Sequence, residues 1–310
     1  MERYYIGMDG GGTSTKVLVW DGTRERCRLS AGSLNYNSAG PARIAQALAE
    51  LRDALAESGF AADDCAAVGI GCAGVSNPAV RPFLEKVFLE LGYGCPVCVF
   101  GDEEAAMYGA FEEADGILLI AGTGSICLGQ TGQGARKYRA GGYGHLIDDE
   151  GSAYALGRDI LSAVVRAEDG RAQPTVLRDA VFGRLGISAM PELVGYVYAQ
   201  DHTKKEIAAL ASLLSLPEAV QDAAVRRIVD KAAGELACLV QAVFGKMQRG
   251  MQAGSEVFPL VLHGSVLERN AMIRDRLTAG LRAVCPGVRL AQAAGDAAQG
   301  AAKIAEASAR

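Results

Sequence analysis

The sequence predicts an α/β protein built from two similar halves, and three observations lead to this prediction. Short β-type stretches alternate with stretches of helical apolar spacing along most of the chain. A unit of strand, glycine turn and strand occurs twice, starting near residues 4 and 116. The length of 310 residues suits about two domains of ordinary size. We therefore expect domains at 1–116 and 117–310, with a C-terminal helix able to pack back on the first.

The first half alternates strands and helices. Its strand-like stretches are apolar and rich in β-branched residues, and its helical stretches carry apolar residues every three or four positions. The predicted order is strand 4–9, glycine turn 10–15, strand 16–21, helix 41–59, strand 67–72, helix 80–91, strand 97–100 and a helix after Asp102.

The second half begins with the same unit and then becomes mostly helical. The predicted order is strand 116–120, glycine turn 121–125, strand 126–130, a glycine-rich stretch at 141–144, a helix from Ser152, loop 168–175, a largely helical region at 174–253 with a loop at 250–256, strand 258–263 and a helix after Gly295.

Composition excludes several classes of protein. The balance of 31 Lys and Arg against 36 Asp and Glu, without a long basic run, argues against a nucleic-acid-binding protein. We expect no membrane partner, because no apolar run reaches the ~20 residues of a membrane helix and the N-terminus lacks a signal-peptide pattern. Eight cysteines without framework spacing favour reduced thiols and a cytoplasmic location. Among the 39 glycines, Gly69 and Gly71 are expected to permit close strand packing.

The first glycine turn, with the sequence DGGGTSTK at 9–16, predicts a phosphate-binding hairpin. Its glycines let backbone N–H groups converge on an anion, while Thr13 adds a hydroxyl and Lys16 a positive charge. It matches neither the P-loop nor the dinucleotide fingerprint, because β-forming residues follow it. A carboxylate beside phosphate is repulsive unless a metal lies between them, so Asp9 indicates Mg²⁺, held through water. The alternative is a simple tight hairpin.

The second glycine turn repeats this chemistry without the acid, since Gly122-Thr123-Gly124-Ser125 again offers amides and hydroxyls. Two such hairpins could bind a polyphosphate together, although each by itself also fits a common β-turn.

Asp102 follows a short apolar strand, at the position where ligand crevices open in α/β sheets. A carboxylate there can accept a proton from a hydroxyl that attacks a phosphate. The alternative role is the N-cap of the next helix, a position that Asp favours.

Two further segments are candidates for ligand binding. The stretch 141–152 combines mobile glycine backbone with three consecutive acids before a helix, which suits sugar hydroxyls but also suits a helix dipole. The strand 260–263 leads into Gly264-Ser265, where a purine nucleoside could lie against backbone, or which is simply a strand end.

Together and in this order, the segments MDGGGTSTK, SLNYN, GDEEAA, IAGTGSIC, GGYGHLIDDEGSA and LHGSV resemble the BadF/BadG/BcrA/BcrD-type ATPase family, in its N-acetylglucosamine kinase branch. The resemblance spans about residues 4–305. It implies a fold of two actin-like (ribonuclease H-like) domains that flank a central nucleotide and sugar cleft. It also implies a homodimer that phosphorylates the 6-hydroxyl of an amino sugar with ATP and Mg²⁺.

The resemblance assigns roles to the matching positions. Asp102 would be the catalytic base, and Asp9 would organise Mg²⁺. The positions implied in ATP binding are Gly11, Gly12, Thr13, Lys16, Thr123, Gly124, Gly264 and Ser265. The positions implied in sugar binding are Asn35, Asp102, Ser125, Gly142, Tyr143, Gly144 and Asp149.

Three positions beside the implied sugar site depart from the kinase pattern: Ile126, Tyr143 and Asp148 stand where Asn, Trp and Gly are frequent. The sugar is therefore left open among N-acetylglucosamine, N-acetylmuramic acid and glucosamine. Two other functions remain as alternatives. An activator ATPase of a dehydratase system would need a second glycine-flanked cysteine, and a non-catalytic sugar sensor would not need Asp102.

Overall fold

The computed structural model describes residues 3–11, 14–72, 74–75, 77–111, 115–132, 134–199, 202–249 and 257–309, with backbone alone at 37–38. In chain order its strands and helices are β1 (Tyr4–Gly10), β2 (Ser14–Trp20), β3 (Glu25–Gly32), α1 (Tyr36–Ala39), α2 (Pro41–Glu57), β4 (Cys65–Cys72), α3 (Val80–Glu90), β5 (Val97–Phe100), α4 (Asp102–Ala110), β6 (Gly116–Ala121), β7 (Ser125–Thr131), β8 (Arg136–Gly141), α5 (Ala153–Glu168), α6 (Leu177–Leu185), α7 (Met190–Val197), α8 (Lys204–Ala209), α9 (Ala223–Arg249), β9 (Phe258–His263), α10 (Ser265–Arg269), α11 (Ala271–Val284), β10 (Val288–Ala291) and α12 (Ala297–Ser308).

The chain divides into two compact units, one of Met1–Ala114 with Gln292–Arg310 and one of Asp115–Ala291. The first unit contains a five-stranded sheet of order β3-β2-β1-β4-β5. Strands β1, β2 and β3 pair antiparallel, whereas β1, β4 and β5 run parallel. Because strand residues alternate between faces, Ile6 and Met8 enter a core that also contains residues of α2 and α3. The opposite face of this sheet packs against α12.

Small residues allow α12 to lie directly on this sheet. A Cβ at Gly69 would overlap the carbonyl oxygen of Ala301, and a Cβ at Gly7 would overlap the backbone of Ala298. The expectation that Gly69 permits strand packing is therefore wrong, since the close neighbour is a helix. The same correction applies to Gly71, since a Cβ there would lie 2.5 Å from the Ala105 Cβ of helix α4.

The second unit repeats the topology of the first. Its sheet has the order β10-β9-β6-β7-β8, with β6, β7 and β8 antiparallel and β6, β9 and β10 parallel. Its hydrophobic core joins one face of this sheet to α5, α9 and α11. The predicted α/β class with two similar halves is confirmed.

Some elements are not evident from apolar periodicity. The third strand of each unit, β3 and β8, lies at a sheet edge and carries exposed charged residues, as edge strands often do. Strand β10, at the other edge of the second sheet, is mostly exposed as well. The predicted loop at 250–256 lies outside the described residues. None of the helices in the described ranges is long and apolar enough to cross a membrane.

Candidate active site

The first glycine turn forms a tight connection between β1 and β2. The backbone N–H of Gly11 donates to the carbonyl oxygens of Asp9 at 3.2 Å and Ser14 at 3.1 Å. A Cβ at Gly11 would lie 2.8 Å from the Ser14 carbonyl oxygen, so a side chain here would crowd the turn. The Gly11 N–H group is thus bonded within the connection between the paired strands β1 and β2. The predicted phosphate ligands Gly12 and Thr13 lie outside the described residues.

Asp9 and Lys16 face each other across β1 and β2 at the end of the first unit's sheet. Lys16 is exposed, and its positive charge attracts the carboxylate of Asp296. Asp296 is the N-cap residue of α12 and accepts a hydrogen bond from the Gln299 N–H at 3.0 Å. Burial opposes ionisation of Asp296, but this N–H, the ion pair with Arg28 and the charge of Lys16 outweigh it and lower its pKa. Lys16, the predicted phosphate ligand, therefore belongs to a group of alternating negative and positive charges that also contains Asp9, Asp296 and Arg28.

Asp102 is the first residue of α4, directly after β5. The N-cap is Gly101, so the alternative assignment of Asp102 as the cap is wrong. The Asp102 side chain reaches solvent, yet the surrounding protein desolvates it; this effect first, and Glu103 second, raises its pKa to about 6. Strands β1 and β5 lie on either side of β4 and run parallel to it. Asp9 and Asp102 therefore lie at the carboxyl ends of these strands, with Gly71 of β4 between them.

Asn35, the predicted sugar ligand of the first unit, follows a residue that is tied to the glycine hairpin. The Ser33 hydroxyl donates to the Gly11 carbonyl oxygen at 3.0 Å and accepts the Asn35 backbone N–H at 3.2 Å. These bonds fix the backbone of Asn35 relative to the hairpin. Ser33 begins the quoted segment SLNYN, but the resemblance assigned a role only to Asn35.

The second glycine turn, between β6 and β7, lies against the N-terminus of α5. The Gly122 N–H donates to the Gly124 carbonyl oxygen at 2.9 Å, which closes the turn. The carbonyl oxygens of Gly122 and Thr123 accept the first N–H groups of α5, from Ala153 at 2.8 Å and Tyr154 at 3.4 Å. The first N–H groups of α5 are therefore bonded to carbonyl oxygens of the turn, which fixes the turn against the start of this helix.

The buried carboxylate of Asp149 also contacts this turn. Its Oδ1 accepts the Ser125 N–H at 3.3 Å, and a Cβ at Gly124 would lie 2.8 Å from its Oδ2. Asp149 has a φ of 64°, a left-handed conformation that is uncommon outside glycine. The buried Ser125 hydroxyl donates to the Glu150 carbonyl oxygen at 2.7 Å, and Arg158 binds the Glu150 carboxylate at 2.7 and 2.9 Å. The second turn and the predicted sugar loop are thus joined by hydrogen bonds.

The predicted sugar loop contains several left-handed glycines. Gly142 and Gly144 have φ values of 77° and 97°. The Tyr143 N–H donates to Asp148 Oδ2 at 3.0 Å, and the Asp148 N–H donates to the Gly144 carbonyl oxygen at 2.8 Å. The Tyr143 side chain is 68% exposed. Asp148, which departs from the kinase pattern, therefore has an internal role in closing the loop.

The predicted adenosine segment lies at the end of β9, next to β6. Gly264 has a φ of 98°, and a Cβ on it would lie 2.5 Å from the Ala121 carbonyl oxygen, at the start of the second glycine turn. Its N–H donates to Glu268 Oε1 at 3.0 Å, and Ser265 begins α10. The structure therefore places this segment beside the second glycine turn, because β9 and β6 are adjacent strands.

Within each unit the structure gathers predicted ligands that are distant in sequence. The first unit joins Asp9, Gly11, Lys16, Asn35 and Asp102 at one end of its sheet. The second unit joins Thr123, Gly124, Ser125, Asp149 and Gly264, with Gly142, Tyr143 and Gly144 in the adjoining loop. Ligand binding by these residues stays a prediction.

Two sheets of this repeated topology, each with a glycine hairpin between its first two strands, define an actin-like sugar kinase fold. A candidate N-acetylglucosamine kinase from Chromobacterium violaceum superimposes with a TM-score of 0.75 at 27% identity, over 97% of this chain and 98% of that one. The ROK hexokinase of Thermus thermophilus shares the fold, with a TM-score of 0.60 at 20% identity over 99% and 100% of the two chains.

Sequence comparison identifies the family. The profile of the BadF/BadG/BcrA/BcrD ATPase family matches residues 6–305, and the chain belongs to this family. An N-acetylmuramic acid/N-acetylglucosamine kinase of Clostridium acetobutylicum is 33% identical over 306 residues, 98% of each chain. An N-acetyl-D-glucosamine kinase of Dictyostelium discoideum is 26% identical over 316 aligned residues, also 98% of each chain. The predicted family is confirmed, and membership of an ATPase family implies the use of ATP.

Proposed function

We propose that this protein is an ATP-dependent kinase of the 6-hydroxyl of an amino sugar. N-acetylglucosamine is the first candidate, and N-acetylmuramic acid and glucosamine are the others. Asp102 carries the proposal, because it places a carboxylate with a pKa of about 6 at the carboxyl ends of the parallel strands β1, β4 and β5, where Asp9 and the first hairpin also lie. The kinase names of two relatives that match 98% of the chain support it.

In the proposed reaction, Asp102 accepts the proton of the sugar 6-hydroxyl. The oxygen of that hydroxyl attacks the γ-phosphorus of ATP. The bond between the γ-phosphorus and the bridging oxygen breaks, and ADP leaves with that electron pair. A carboxyl with a pKa of about 6 is mostly ionised at pH 7 and can accept the proton. The backbone N–H groups of Thr123 and Gly124 in the second hairpin would stabilise the phosphate charge.

Mg²⁺, when bound with ATP, would neutralise charge on the β- and γ-phosphates. The residues present fit this ion: Asp9 offers a half-buried carboxylate at the end of β1, beside the backbone of the first hairpin. Proteins commonly hold Mg²⁺ through one or two carboxylates, waters and the substrate phosphates, so one carboxylate suffices. No group of three or more His, Cys, Asp or Glu in the described ranges could hold a metal.

A sugar screen tests the proposed function. The purified protein is incubated with ATP, Mg²⁺ and one of five sugars: N-acetylglucosamine, N-acetylmuramic acid, glucosamine, N-acetylmannosamine or glucose. ADP release is followed by a coupled assay, and the position of the phosphate is read by phosphorus NMR. We expect sugar-dependent ADP release and a 6-phosphate with at least one N-acetylated amino sugar. Absence of sugar-dependent turnover with all five would contradict the proposal.

Assembly and location are further parts of this proposal. The family resemblance supports a homodimer, which light scattering would report as twice the chain mass of 32.3 kDa. Among the described residues the cysteines are all free thiols, which supports a reducing cytoplasm as the location. Cell fractionation with tagged protein measures the location. A monomer in solution, or recovery from an oxidising compartment, would contradict the respective part.

A further inference from the structure

The side chain of Arg139, which precedes the predicted sugar loop, forms hydrogen bonds with the backbone of that loop. Arg139, near the end of β8, donates from Nε to the Gly141 carbonyl oxygen at 3.0 Å and from its NH2 nitrogen to the Gly142 carbonyl oxygen at 2.6 Å. Its guanidinium carbon also lies 5.1 Å from the centre of the Tyr143 ring, within the range of a cation–π contact. A single planar group therefore contacts three consecutive loop residues.

These contacts matter because the loop backbone has little stiffness of its own. Gly141 and Gly142 are both left-handed, with φ values of 76° and 77°, and free glycines sample many other conformations. A Cβ at Gly142 would lie 2.8 Å from the Arg139 NH2 nitrogen and 2.8 Å from Ile126 Cδ1. Gly142 is therefore packed closely against both side chains. Without Arg139, two carbonyl oxygens lose their partner and the glycines regain conformational freedom.

Arg139 is itself anchored in the folded unit. It pairs with Leu128 of β7 in the sheet, and its carbonyl oxygen accepts a hydrogen bond from Lys246 Nζ of α9 at 2.6 Å. The Arg139 backbone is thus held in the sheet, while its guanidinium binds the carbonyl oxygens of Gly141 and Gly142. Arg139 therefore links the loop to the sheet.

We propose that Arg139 is a positioning residue that sets the affinity for the sugar by holding the Gly142 backbone and the Tyr143 side chain in place. This inference rests on the proposed function, because it assumes that the loop binds the sugar. Lysine cannot replace Arg139, because an ammonium has no planar fork to bind two carbonyl oxygens and lie over a ring together.

The test compares R139A and R139K with R136A, a control that removes an arginine of similar exposure at the opposite end of β8. We expect R139A to raise the KM for the sugar roughly tenfold or more, because two charge-assisted hydrogen bonds are lost, with little change in the KM for ATP. R139K should resemble R139A, and R136A should resemble the wild type. Amide hydrogen exchange at 141–148 should become faster in both Arg139 variants.

Two results would overturn the inference: an unchanged sugar KM in R139A, or unchanged exchange at 141–148 with a folded protein. Full recovery in R139K would show that charge alone suffices and would equally contradict a positioning role. If the wild type phosphorylates none of the sugars, the proposed function fails. Faster exchange in R139A would then show that Arg139 stabilises the loop, but it would contradict a role in sugar affinity. Melting temperatures of all variants separate loop loosening from global unfolding.

Discussion

Replacement of Asp102 by Asn is the most direct test of the proposed chemistry. Asparagine keeps the size and shape of the side chain but cannot accept the hydroxyl proton. Loss of a general base lowers kcat by roughly 10²–10⁴. The KM for ATP should change little, because the proposed mechanism assigns Asp102 to the sugar hydroxyl and assigns ATP binding to the two hairpins.

The pKa of Asp102 gives the same prediction a second, quantitative form. With a pKa of about 6, the carboxyl is ionised in about nine molecules of ten at pH 7 and in about one of ten at pH 5. Activity that needs the ionised form must therefore fall about tenfold between pH 7 and pH 5. The D102N protein has no such group, so its residual activity should not show this acid limb.

Stability provides the control for this variant. The folded-state pKa of Asp102 is raised from the ordinary value of 3.8, so between these two pH values the folded protein binds more protons than the unfolded chain. The stabilisation from protonated Asp102 is present at low pH and is lost as the pH rises through 6. D102N should consequently melt at the same or a higher temperature than the wild type at pH 7.

The assay is coupled ADP release at saturating ATP, measured from pH 5 to pH 8 with the best sugar of the screen, together with thermal unfolding. A flat wild-type profile over this range would refute the assigned pKa. A D102N protein that is folded and retains wild-type kcat would remove Asp102 from the mechanism.

Three further predictions concern other parts of the molecule. Gly69→Ala should lower the melting temperature by several degrees, because its methyl group would overlap a backbone carbonyl of α12, while Gly94→Ala, with open space around it, should not; equal melting curves would contradict the packing described for α12. Gly124→Ala should raise the KM for ATP, because its Cβ would lie 2.8 Å from the Asp149 carboxylate and displace the second hairpin; an unchanged ATP KM would argue against that hairpin as a phosphate site. Asp9→Asn should raise the Mg²⁺ concentration needed for half-maximal activity, and an unaltered Mg²⁺ titration would exclude Asp9 from metal placement.

Local patterns were sufficient to predict the strand and glycine-turn units. The stretches 4–9 and 258–263 are largely apolar because they form interior strands of the two sheets, with neighbours on both sides. The stretch 97–100 is apolar although β5 is an edge strand, because its last two residues are buried. The edge strands β3 and β8 have no such mark, because their charged side chains face solvent and their pairing depends on a distant partner strand.

The sequence by itself determined the α/β class, the repeated unit, the family and the residue types available for phosphate and sugar chemistry. These follow from local spacing and from motifs, which need no knowledge of distant contacts. Only the tertiary structure decided that Gly69 accommodates a helix, that Gly101 and not Asp102 caps α4, and that Asp149 braces the second hairpin. It also revealed the hydrogen bonds from Arg139 to the predicted sugar loop. The reason is physical: each of these facts depends on which backbone atoms approach from elsewhere in the chain, and long-range packing leaves no local periodicity to read.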